Sequence, residues 1–451
     1  MTFEEMLFKY KNVYYGFPQP LKTFLGSLYG KVPLSVRFGN GFNTHTKIIH
    51  KFEDGSEQFK LDYMYSKTLE TLLFAEKNIP YYTKLFNEHS ISTKDFKSLV
   101  DIKLFPMLTK QIIKKNLNLL YSDIIEKPVA YYSGGSLSTP TQYFLPTSSR
   151  AKEKAYNNYI FSKINYHYRD RTLLLKGREI SDPEHSIYWD YEPIDNYFLL
   201  SNNYMNSDKF SLMHTKALSF KPKFIFGYPS AVLSFIRQSK KYNLKKLKIE
   251  GIILASESVY KNELEFIRDY FNVDILTHYG HTERNVIGYR LNDNNYNLLN
   301  SYGLTRVVNN EIITTTFDNF VMPFINYETN DHTSGNLEFY NDTDIIKKAE
   351  NIDGRTQDYL VTKDERLISI TTMCGGQHLP LEKMEAIQYI QETPGKVTVL
   401  VEGDENINLQ EVEKGMCKLV RDGIDFDIKR VDKIEKTHRG KRVMCKQFLK
   451  V

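Results

Sequence analysis

The sequence predicts an α/β fold: a large amino-terminal α/β domain with parallel-type sheets flanked by helices, followed by a small mobile carboxyl-terminal α+β domain. Two observations predict this fold. In the middle third of the chain, short apolar runs alternate with amphipathic segments of about a dozen residues, which is the spacing of βαβ units with right-handed crossovers. After about residue 354, two apolar runs instead enclose one helical segment. The length of 451 residues allows about three domains or sub-domains.

The middle third can be interpreted element by element. The elements run as strand 223–226, helix 229–242, strand 249–255, helix 260–271 and strand 273–277. Pro229 and Ser230 are typical of a helix start, because proline fits the first helical turn. Ligands of parallel sheets bind beyond the carboxyl ends of the strands. The polar segments 227–230, 256–258 and 278–283 are therefore expected to converge on one crevice.

The flanking regions complete the division into domains. Residues 1–60 predict loops and short elements, whereas helices are predicted over 65–77, ended by Pro80, and over 82–88. A strand at 396–401, a helix at 409–420 and a strand at 426–431 form the small module. We therefore divide the chain into an amino-terminal domain (1–353), a hinge or connector (354–363) and a small domain (364–451).

Composition and charge exclude several classes of protein. With 41% hydrophobic and 25% charged residues, the chain is not disordered. The 60 Lys and Arg residues exceed the 55 Asp and Glu residues by 5, too small and dispersed an excess for nucleic-acid binding. Three cysteines without a Cys-x-x-Cys spacing exclude a disulfide framework and a zinc ribbon. Glu4 and Glu5 stand where a signal peptide needs positive charge, and no apolar run reaches about 18 residues, which predicts a cytoplasmic protein without a transmembrane segment.

One segment has the composition of a phosphate-binding loop. Residues 132–141 contain five Ser or Thr residues and two adjacent glycines. Glycines let backbone N–H groups surround phosphate oxygens, and hydroxyl groups add donors. It is not a Walker loop, because no Gly-Lys-Ser/Thr follows. On composition alone, a plain surface turn remains the more frequent interpretation.

Two other segments could contribute charged groups. Residues 279–283 put Glu283 at the crevice mouth, where it could hold a phosphate-bridging metal ion or simply be a solvated loop charge. His278 and His281 lack a third ligand for zinc, so we interpret them as polar crevice histidines. Residues 436–442 concentrate five basic side chains, which form either a solvated basic loop or a mobile lysine that neutralises charge during group transfer.

The order of these segments resembles the adenylate-forming superfamily, specifically its phenylacetate-CoA ligase-like branch, which includes ligases of capsule polysaccharide synthesis. The resemblance rests on eight segments: 79–82 (IPYY), 105–110 (FPMLTK), 133–140 (SGGSLSTP), 226–230 (FGYPS), 279–283 (YGHTE), 322–331 (MPFINYETND), 354–355 (GR) and 436–441 (KTHRGK). No single segment decides it. Their shared order identifies the chain as similar to this branch from about residue 65 to 445.

The resemblance implies a set of site residues. Tyr279 would line the adenine pocket, Asp331 would bind the ribose hydroxyls and Glu283 would place magnesium. Lys441 would contact the α-phosphate and the substrate carboxylate, as the catalytic lysine. The other implied nucleotide-binding positions are Ser133, Gly134, Gly135, Ser136, Ser138 and Thr139 of the phosphate loop, Ser256 and Glu257 at the border of the adenine pocket, and Gly280, Thr282 and Arg355.

The sequence also departs from the branch pattern. Ser138 replaces a loop glycine, which would strain the backbone if that glycine serves a positive φ. Asn326 and Glu328 replace two arginines, which puts contacts to the polyphosphate in question. Asn330 replaces a glycine, a mild change because asparagine tolerates left-handed conformations. The basic side chains of Lys176, Arg178 and Arg284 are candidates for compensating the lost arginines.

The implied function is ATP-dependent activation of a carboxylic acid as acyl-AMP with release of pyrophosphate. The acyl group would then pass to CoA or to an amine or sugar acceptor, in surface-polysaccharide biosynthesis for relatives of this kind. ATP and Mg²⁺ are the implied cofactors, and CoA is one candidate acceptor. The alternative is a catalytically reduced, nucleotide-binding scaffold protein of the same fold. A homodimer is the expected assembly, as the commonest one for enzymes of this size.

Overall fold

A large sheet and a separate hairpin form the strand framework of the amino-terminal part. The structure is a computed structural model, and it describes residues 4–5, 7, 10, 13–14, 16–132, 141–176, 187–205, 207–355, 359–364, 367–370, 373, 380, 383–420, 423–436 and 443–449. The hairpin consists of β1 (Val129–Tyr132) and β2 (Gln142–Leu145). The twelve strands of the sheet are β3 (Thr172–Leu175), β4 (Trp189–Glu192), β5 (Tyr197–Leu200), β6 (Phe224–Gly227), β7 (Gly251–Ala255), β8 (Asp274–Gly280), β9 (Ile287–Leu291), β10 (Tyr296–Leu298), β11 (Gly303–Val308), β12 (Glu311–Thr316), β13 (Tyr327–Phe339) and β14 (Ile346–Arg355).

Part of this sheet is parallel. Strands β8, β7, β6, β3 and β5 lie side by side and run in the same direction. Every residue of β7 is buried, because helices cover both faces of a parallel sheet. The predicted parallel sheet is confirmed for these strands.

The remaining strands are antiparallel, and the sequence analysis did not predict them. β4 pairs antiparallel with β5 at one edge, and β9, β10, β14, β13, β12 and β11 continue the sheet beyond β8 in that order. Asn309 and Asn310, which have positive φ angles, turn the chain between β11 and β12. Connections this short can join only antiparallel neighbours. The sheet is therefore mixed.

Helices pack against the strands in both parts of the chain. In chain order they are α1 (Gln19–Gly30), α2 (Leu34–Arg37), α3 (Gly39–Glu53), α4 (Glu57–Asn78), α5 (Pro80–Glu88), α6 (Lys110–Asn116), α7 (Ser149–Phe161), α8 (Phe210–Phe220), α9 (Pro229–Lys241), α10 (Lys261–Phe271) and α11 (Leu409–Val420). The helices predicted at 229–242, 260–271 and 409–420 are confirmed to within one residue at each end. Within the described ranges, none of the helices combines the length and the apolar character needed to cross a bilayer.

Helix α4 begins eight residues before the predicted start at Tyr65. The Ser56 side chain accepts a hydrogen bond from the Phe59 backbone N–H at 3.2 Å and so caps the helix, as a serine at this position commonly does. The helix ends at Asn78 because Ile79 precedes Pro80, and a residue before proline is restricted to extended conformations. The predicted stop at Pro80 is confirmed.

The prediction of loops and short elements for residues 1–60 is wrong, because α1, α2 and α3 occupy most of residues 19–53. The start of α3, Gly-Asn-Gly-Phe-Asn, hides the helical pattern because it lacks regular apolar spacing. Its Phe42 and Ile49 nevertheless belong to a core cluster with Ala155 and Tyr156 of α7. Packing on a neighbouring helix outweighs weak local propensity here.

The carboxyl-terminal part forms its own sheet and core. A small hairpin, β15 (Tyr359–Val361) with β16 (Leu367–Ser369), precedes a four-stranded sheet. That sheet has the order β19-β18-β17-β20 and contains β17 (Met384–Thr393), β18 (Lys396–Gly403), β19 (Asp425–Val431) and β20 (Cys445–Gln447). Tyr389, Val399 and Met416 lie at its core. The predicted strand-helix-strand module is confirmed, whereas the limits 354–363 and 364–451 stay a prediction.

The small sheet docks on α9 and α10. The Gln238 Nε2 atom donates to Glu385 Oε1 at 3.0 Å, and the Arg237 guanidinium donates to the Glu385 carbonyl at 3.1 Å. Tyr260, just before α10, packs in the core cluster of the small sheet. The two parts are therefore in direct contact in this arrangement.

Candidate functional site

The carboxyl ends of β6 and β7 meet at one end of the sheet. The Ser230 backbone N–H, in the first turn of α9, donates to Glu257 Oε2 at 3.1 Å. A carboxylate at a helix N-terminus is stabilised by the unpaired N–H groups and the helix dipole. Two of the three segments predicted to converge are thus joined, and Glu257 has a role at the helix start in addition to the predicted one beside the adenine pocket.

The backbone at the end of β7 is strained. Ser256 has a φ of 70°, which non-glycine residues adopt only at a cost, and such residues concentrate at functional sites. Its side chain is exposed. The position of Ser256 at the border of the adenine pocket stays a prediction.

A three-residue cluster closes the end of β8. The Tyr279 hydroxyl donates to Asp331 Oδ2 at 2.9 Å, and His281 Nε2 lies 2.7 Å from the same oxygen. The Tyr279 hydroxyl also lies 3.1 Å from His281 Nε2. The structure therefore brings together Tyr279 and Asp331, which the sequence analysis assigned separately to the adenine and the ribose.

Strand β13 fixes Asp331 in this cluster. The Asp331 backbone N–H donates to Thr329 Oγ1 at 3.0 Å, and Asp331 lies opposite Arg355 in the ladder between β13 and β14. The Asp331 side chain is 11% exposed. The predicted site residues Asp331 and Arg355 are thus neighbours in the sheet, although they are far apart in the sequence.

The two histidines of this region have different roles, contrary to our grouping of them as crevice histidines. His278 Nε2 lies 2.9 Å from Asn157 Oδ1 of α7. Burial, together with the positive charge of Lys176, lowers the pKa of His278 to about 3. Because successive strand residues face opposite sides, His281 shares the side of Tyr279. That two-residue spacing is the signal that could have placed His281 in the site.

Glu283 is held from two sides. It is 6% exposed; its Oε1 accepts from the Tyr327 hydroxyl at 3.3 Å, and its Oε2 accepts from Thr282 Oγ1 at 3.1 Å. The Thr282 side chain itself is exposed, as is Gly280. Glu283 is thus a buried carboxylate next to a solvent-accessible turn.

A magnesium ion would fit Glu283 only with help from a ligand. Within the described ranges, no group of three or more His, Cys, Asp or Glu side chains is placed to hold a metal ion. Mg²⁺ is commonly bound by one or two carboxylates together with substrate phosphates and water. The single carboxylate of Glu283 suits that mode of binding and does not suit a metal cage built from protein alone.

The hairpin β1–β2 brackets the predicted phosphate loop. Tyr132 pairs with Gln142 at the end of the hairpin that carries the connecting segment. The two residues that flank this segment therefore lie next to each other. Arg284, with a φ of 54°, donates to Ser149 Oγ at 2.6 Å and stacks over Tyr131 at 5.4 Å. This contact ties the base of the loop to the residue after Glu283.

Eight of the predicted residues are not among those that the structure describes. The residues outside the described part of the chain are Ser133, Gly134, Gly135, Ser136, Ser138, Thr139, Arg178 and Lys441. Lys176 is another candidate for compensating the lost arginines, and its ammonium group lies 3.9 Å from the Phe226 ring centroid. Their roles stay predictions.

The substitution at Asn326 has a structural explanation. Asn326 is fully buried with a φ of 47°. Its Nδ2 donates to the carbonyls of Ile102 and Phe105 at 2.7 Å each, and its Oδ1 accepts from Arg306 at 2.8 Å. In this chain, position 326 therefore ties β13 to the segment before α6, and its side chain does not reach the crevice.

The other two departures lie further along β13. Asn330 has a φ of 62°, the left-handed conformation for which the branch uses glycine, so the change is mild as expected. Its backbone N–H donates to Glu311 at 2.8 Å. Partial burial and the negative charge of Glu311 raise the pKa of Glu328, so the region that lost an arginine now carries acidic groups.

Comparisons with known proteins identify the fold. No family model matches the chain. Protein CapK of Staphylococcus aureus is 19% identical over 450 residues, spanning 95% of this chain and 97% of CapK. A 2-hydroxyisobutyryl-CoA ligase in the postadenylation state, in complex with 2-HIB-AMP, has a TM-score of 0.65 at 11% identity, covering 85% of this chain and 88% of that one. The chain has the fold of the adenylate-forming ligases.

The same ligase in another state is less similar to this chain. Its complex with 2-HIB-AMP and CoA in the thioesterification state has a TM-score of 0.55 at 12% identity, covering 88% of this chain and 91% of that one. The predicted fold class is confirmed by both. The TM-score is therefore higher for the postadenylation structure of that ligase than for its thioesterification structure.

Proposed function

We propose that this protein activates a carboxylic acid with ATP to form an acyl-AMP and pyrophosphate, and then transfers the acyl group to a second acceptor. The observation that carries the proposal is the convergence of Tyr279, His281 and Asp331 beside the buried Glu283. These side chains come from segments about fifty residues apart, and they lie at the carboxyl end of β8, the end of the strands where ligands of such sheets bind.

The residues of this site would bind ATP in a defined way. The Asp331 carboxylate would accept hydrogen bonds from the ribose hydroxyls, which are strong because the acceptor is charged. Tyr279 and His281 hold its Oδ2 oxygen in place. Backbone N–H groups of residues 133–139 would surround the phosphates.

In the first half-reaction, a carboxylate oxygen of the acid attacks the α-phosphorus of ATP. The bond from this phosphorus to the bridging oxygen breaks, and pyrophosphate leaves with that oxygen. Mg²⁺ bound at Glu283 would offset the negative charge of the phosphates. The Lys441 ammonium would stabilise the charge that develops on the α-phosphate oxygens.

In the second half-reaction, a nucleophile attacks the acyl carbonyl carbon. AMP leaves with the oxygen that came from the acid, and the nucleophile loses its proton. The nucleophile would be the thiol of CoA, or an amine or sugar hydroxyl in surface-polysaccharide assembly. The similar 2-hydroxyisobutyryl-CoA ligase binds CoA in its thioesterification state, which favours CoA. The likeness to CapK adds to the resemblance to the capsule branch.

The small sheet would turn about residues 354–363 between the two half-reactions. The contacts of Arg237 and Gln238 with Glu385 would hold the orientation used for adenylation. The higher TM-score with the postadenylation state supports this assignment. Domain movements of this kind often limit turnover.

The scaffold alternative loses one of its arguments. It rested partly on Asn326, whose amide group is fully used in structural hydrogen bonds. A binding measurement separates the two functions: calorimetric titration with Mg²⁺ and ATP of the native chain and of a Glu283→Ala, Asp331→Asn variant. We expect saturable binding that the variant lacks, followed by acid-dependent pyrophosphate release with hydroxylamine as the acceptor. ATP binding without release of pyrophosphate from ATP in the presence of any acid tested would favour the scaffold.

A further inference from the structure

The outward face of α1 is apolar. Leu21, Phe24, Leu25 and Leu28 are 40%, 67%, 37% and 61% exposed. Their spacing of i, i+3, i+4 and i+7 places them in one stripe along the helix. A helix on the surface of a globular protein normally turns such a stripe towards the core, so this orientation requires an explanation.

Two glycines fix that orientation. Gly26 and Gly30 are buried on the opposite side of α1. A Cβ atom at Gly26 would come within 2.5 Å of the Pro193 ring, and one at Gly30 would overlap the Arg169 guanidinium. The helix can approach residues 193–194 this closely only through its glycine side. The stripe of leucines and Phe24 therefore faces outward.

Exposed apolar side chains concentrate in this part of the molecule. In the described part of the chain, 19 large apolar side chains are exposed, and eight of them lie between Leu7 and Val36. Besides the stripe they include Tyr10, Val13 and Val36, at 60%, 58% and 60% exposure. Clustered exposure of this kind is typical of a surface that binds something, unlike apolar side chains scattered singly.

The charge of the same segment is one-sided. Residues 6–52 contain no Asp or Glu, whereas the average acidic content of the chain would put about six there. The segment contains seven basic residues, Lys9, Lys11, Lys22, Lys31, Arg37, Lys47 and Lys51, of which Arg37 is buried and forms an ion pair with Glu4. With a turn of about 100° per residue, Lys22 and Lys31 lie on either side of the apolar stripe.

We propose that α1 is a docking surface for an anionic phospholipid bilayer. Leucine and phenylalanine side chains of an amphipathic helix enter the boundary between headgroups and acyl chains, while flanking lysines meet the anionic headgroups. The stripe on α1 and the positions of Lys22 and Lys31 match this pattern. The helix would lie in the plane of the bilayer surface and would not cross it.

Other occupants fit the observations less well. In a symmetric dimer the same patch meets itself, which would bring Lys22 and Lys31 of one copy towards the same lysines of the other. A nucleic acid would meet four aliphatic or aromatic side chains at the centre of the patch, where its phosphates need basic groups. Lipid binding at α1 is independent of the chemistry proposed above, because it uses none of the residues of that site.

The test is co-sedimentation of the full-length chain with vesicles. We expect binding to vesicles of equimolar phosphatidylcholine and phosphatidylglycerol, and at least about tenfold weaker binding to phosphatidylcholine alone. A Phe24→Ser, Leu28→Ser variant should bind the anionic vesicles at least tenfold more weakly. In a Lys22→Gln, Lys31→Gln variant the affinity for anionic vesicles should fall about fivefold for each lysine removed. Added salt should also lower the affinity of the native chain for these vesicles.

The matched control is Ile124→Ser, Ile125→Ser, which removes two apolar side chains of 66% and 63% exposure that do not belong to α1. It should bind vesicles like the native chain, and circular dichroism should show that all variants are folded. Native protein that stays in the supernatant with anionic vesicles would overturn the proposal. If the native chain does not bind vesicles, two further results would identify another occupant. A native dimer that the Phe24→Ser, Leu28→Ser variant fails to form would indicate a second copy of the chain. Binding of single-stranded RNA would indicate a nucleic acid.

Discussion

His281 Nε2 lies 2.7 Å from Asp331 Oδ2, the oxygen to which the Tyr279 hydroxyl also donates at 2.9 Å. The proposed ribose-binding carboxylate is therefore already held by two side chains of one strand end. A carboxylate fixed in advance loses less freedom when a ligand binds. This relationship connects the end of β8 with β13 and underlies the first prediction.

Replacing His281 by alanine should weaken ATP binding. Asp331 would lose one hydrogen-bonding partner, and a bond to a charged group contributes about 1.5 kcal/mol or more, equivalent to roughly tenfold in the dissociation constant. Calorimetric titration with Mg²⁺ and ATP measures the change. The control is His278→Ala, whose ring contacts Asn157 instead, and which should leave the affinity within about twofold. Equal effects of the two substitutions would contradict the assignment of His281.

Glu283→Gln should slow adenylation without unfolding the site. The amide keeps the size of the side chain but removes the charge that Mg²⁺ would contact. Loss of one preorganised electrostatic contact costs about a hundredfold in rate, measured as acid-dependent pyrophosphate release over a range of Mg²⁺ concentrations. Tyr327→Phe, which removes only the hydroxyl bonded to Glu283 Oε1, should have a smaller effect. An unchanged rate and Mg²⁺ requirement in Glu283→Gln would rule out this metal site.

Lys441→Ala should lower the adenylation rate by about a hundredfold, or roughly 3 kcal/mol. The second half-reaction, started from supplied acyl-AMP, should change much less, because the lysine is proposed to act on the α-phosphate. Quenched-flow measurement of each half-reaction separates the two. Adenylation at more than half the native rate would remove Lys441 from the mechanism.

The docking of the small sheet should respond to pH through Glu385. Burial raises the pKa of this carboxyl above its ordinary value, against the opposing effect of Arg237. When folding raises the pKa of an acid, the charged form of that acid destabilises the folded state. Protonation removes this destabilisation as the pH falls below the raised pKa. The docked arrangement should therefore become more stable as the pH falls from 8 towards the ordinary glutamate pKa of 4.5.

Glu385→Gln tests that pH dependence. The variant mimics the protonated acid and can still accept from Gln238, so its thermal stability at pH 8 should exceed that of the native chain and should vary less with pH. Scanning calorimetry at several pH values measures both. A native pH dependence that persists unchanged in the variant would show that Glu385 is not responsible.

Asn326→Arg restores the residue of the branch but should not restore a phosphate contact. The site is fully buried and its amide makes three hydrogen bonds, so the larger charged side chain should destabilise the fold by about 3 kcal/mol or more. Chemical denaturation measures this loss. Asn341→Arg, at an exposed position, should change stability by less than about 0.5 kcal/mol. A stable Asn326→Arg protein with tighter ATP binding would overturn the structural role.

The sequence by itself determined the architecture of the middle third and of the small module. Strands near 224–227, 251–255 and 274–280 and the helices between them follow from apolar runs, Pro229 and helical spacing, which are local signals. The segments 279–283 and 322–331, with their resemblance to one branch of ligases, pointed to Tyr279, Glu283 and Asp331. These signals are local because strand and helix periods can be read from neighbouring residues.

Only the tertiary structure decided which residues meet. The pairing of His281 with Asp331 joins positions fifty apart in the sequence, and no local pattern encodes that distance. Asn326 is a second case. The sequence suggested a lost ligand contact at this position, whereas in the structure its amide binds Ile102, Phe105 and Arg306. Helices α1 to α3 were missed for a related reason. Their packing partners on α7 and at residues 193–194 lie more than a hundred residues away, and the free energy of burying those contacts, not local propensity, selects the helical state.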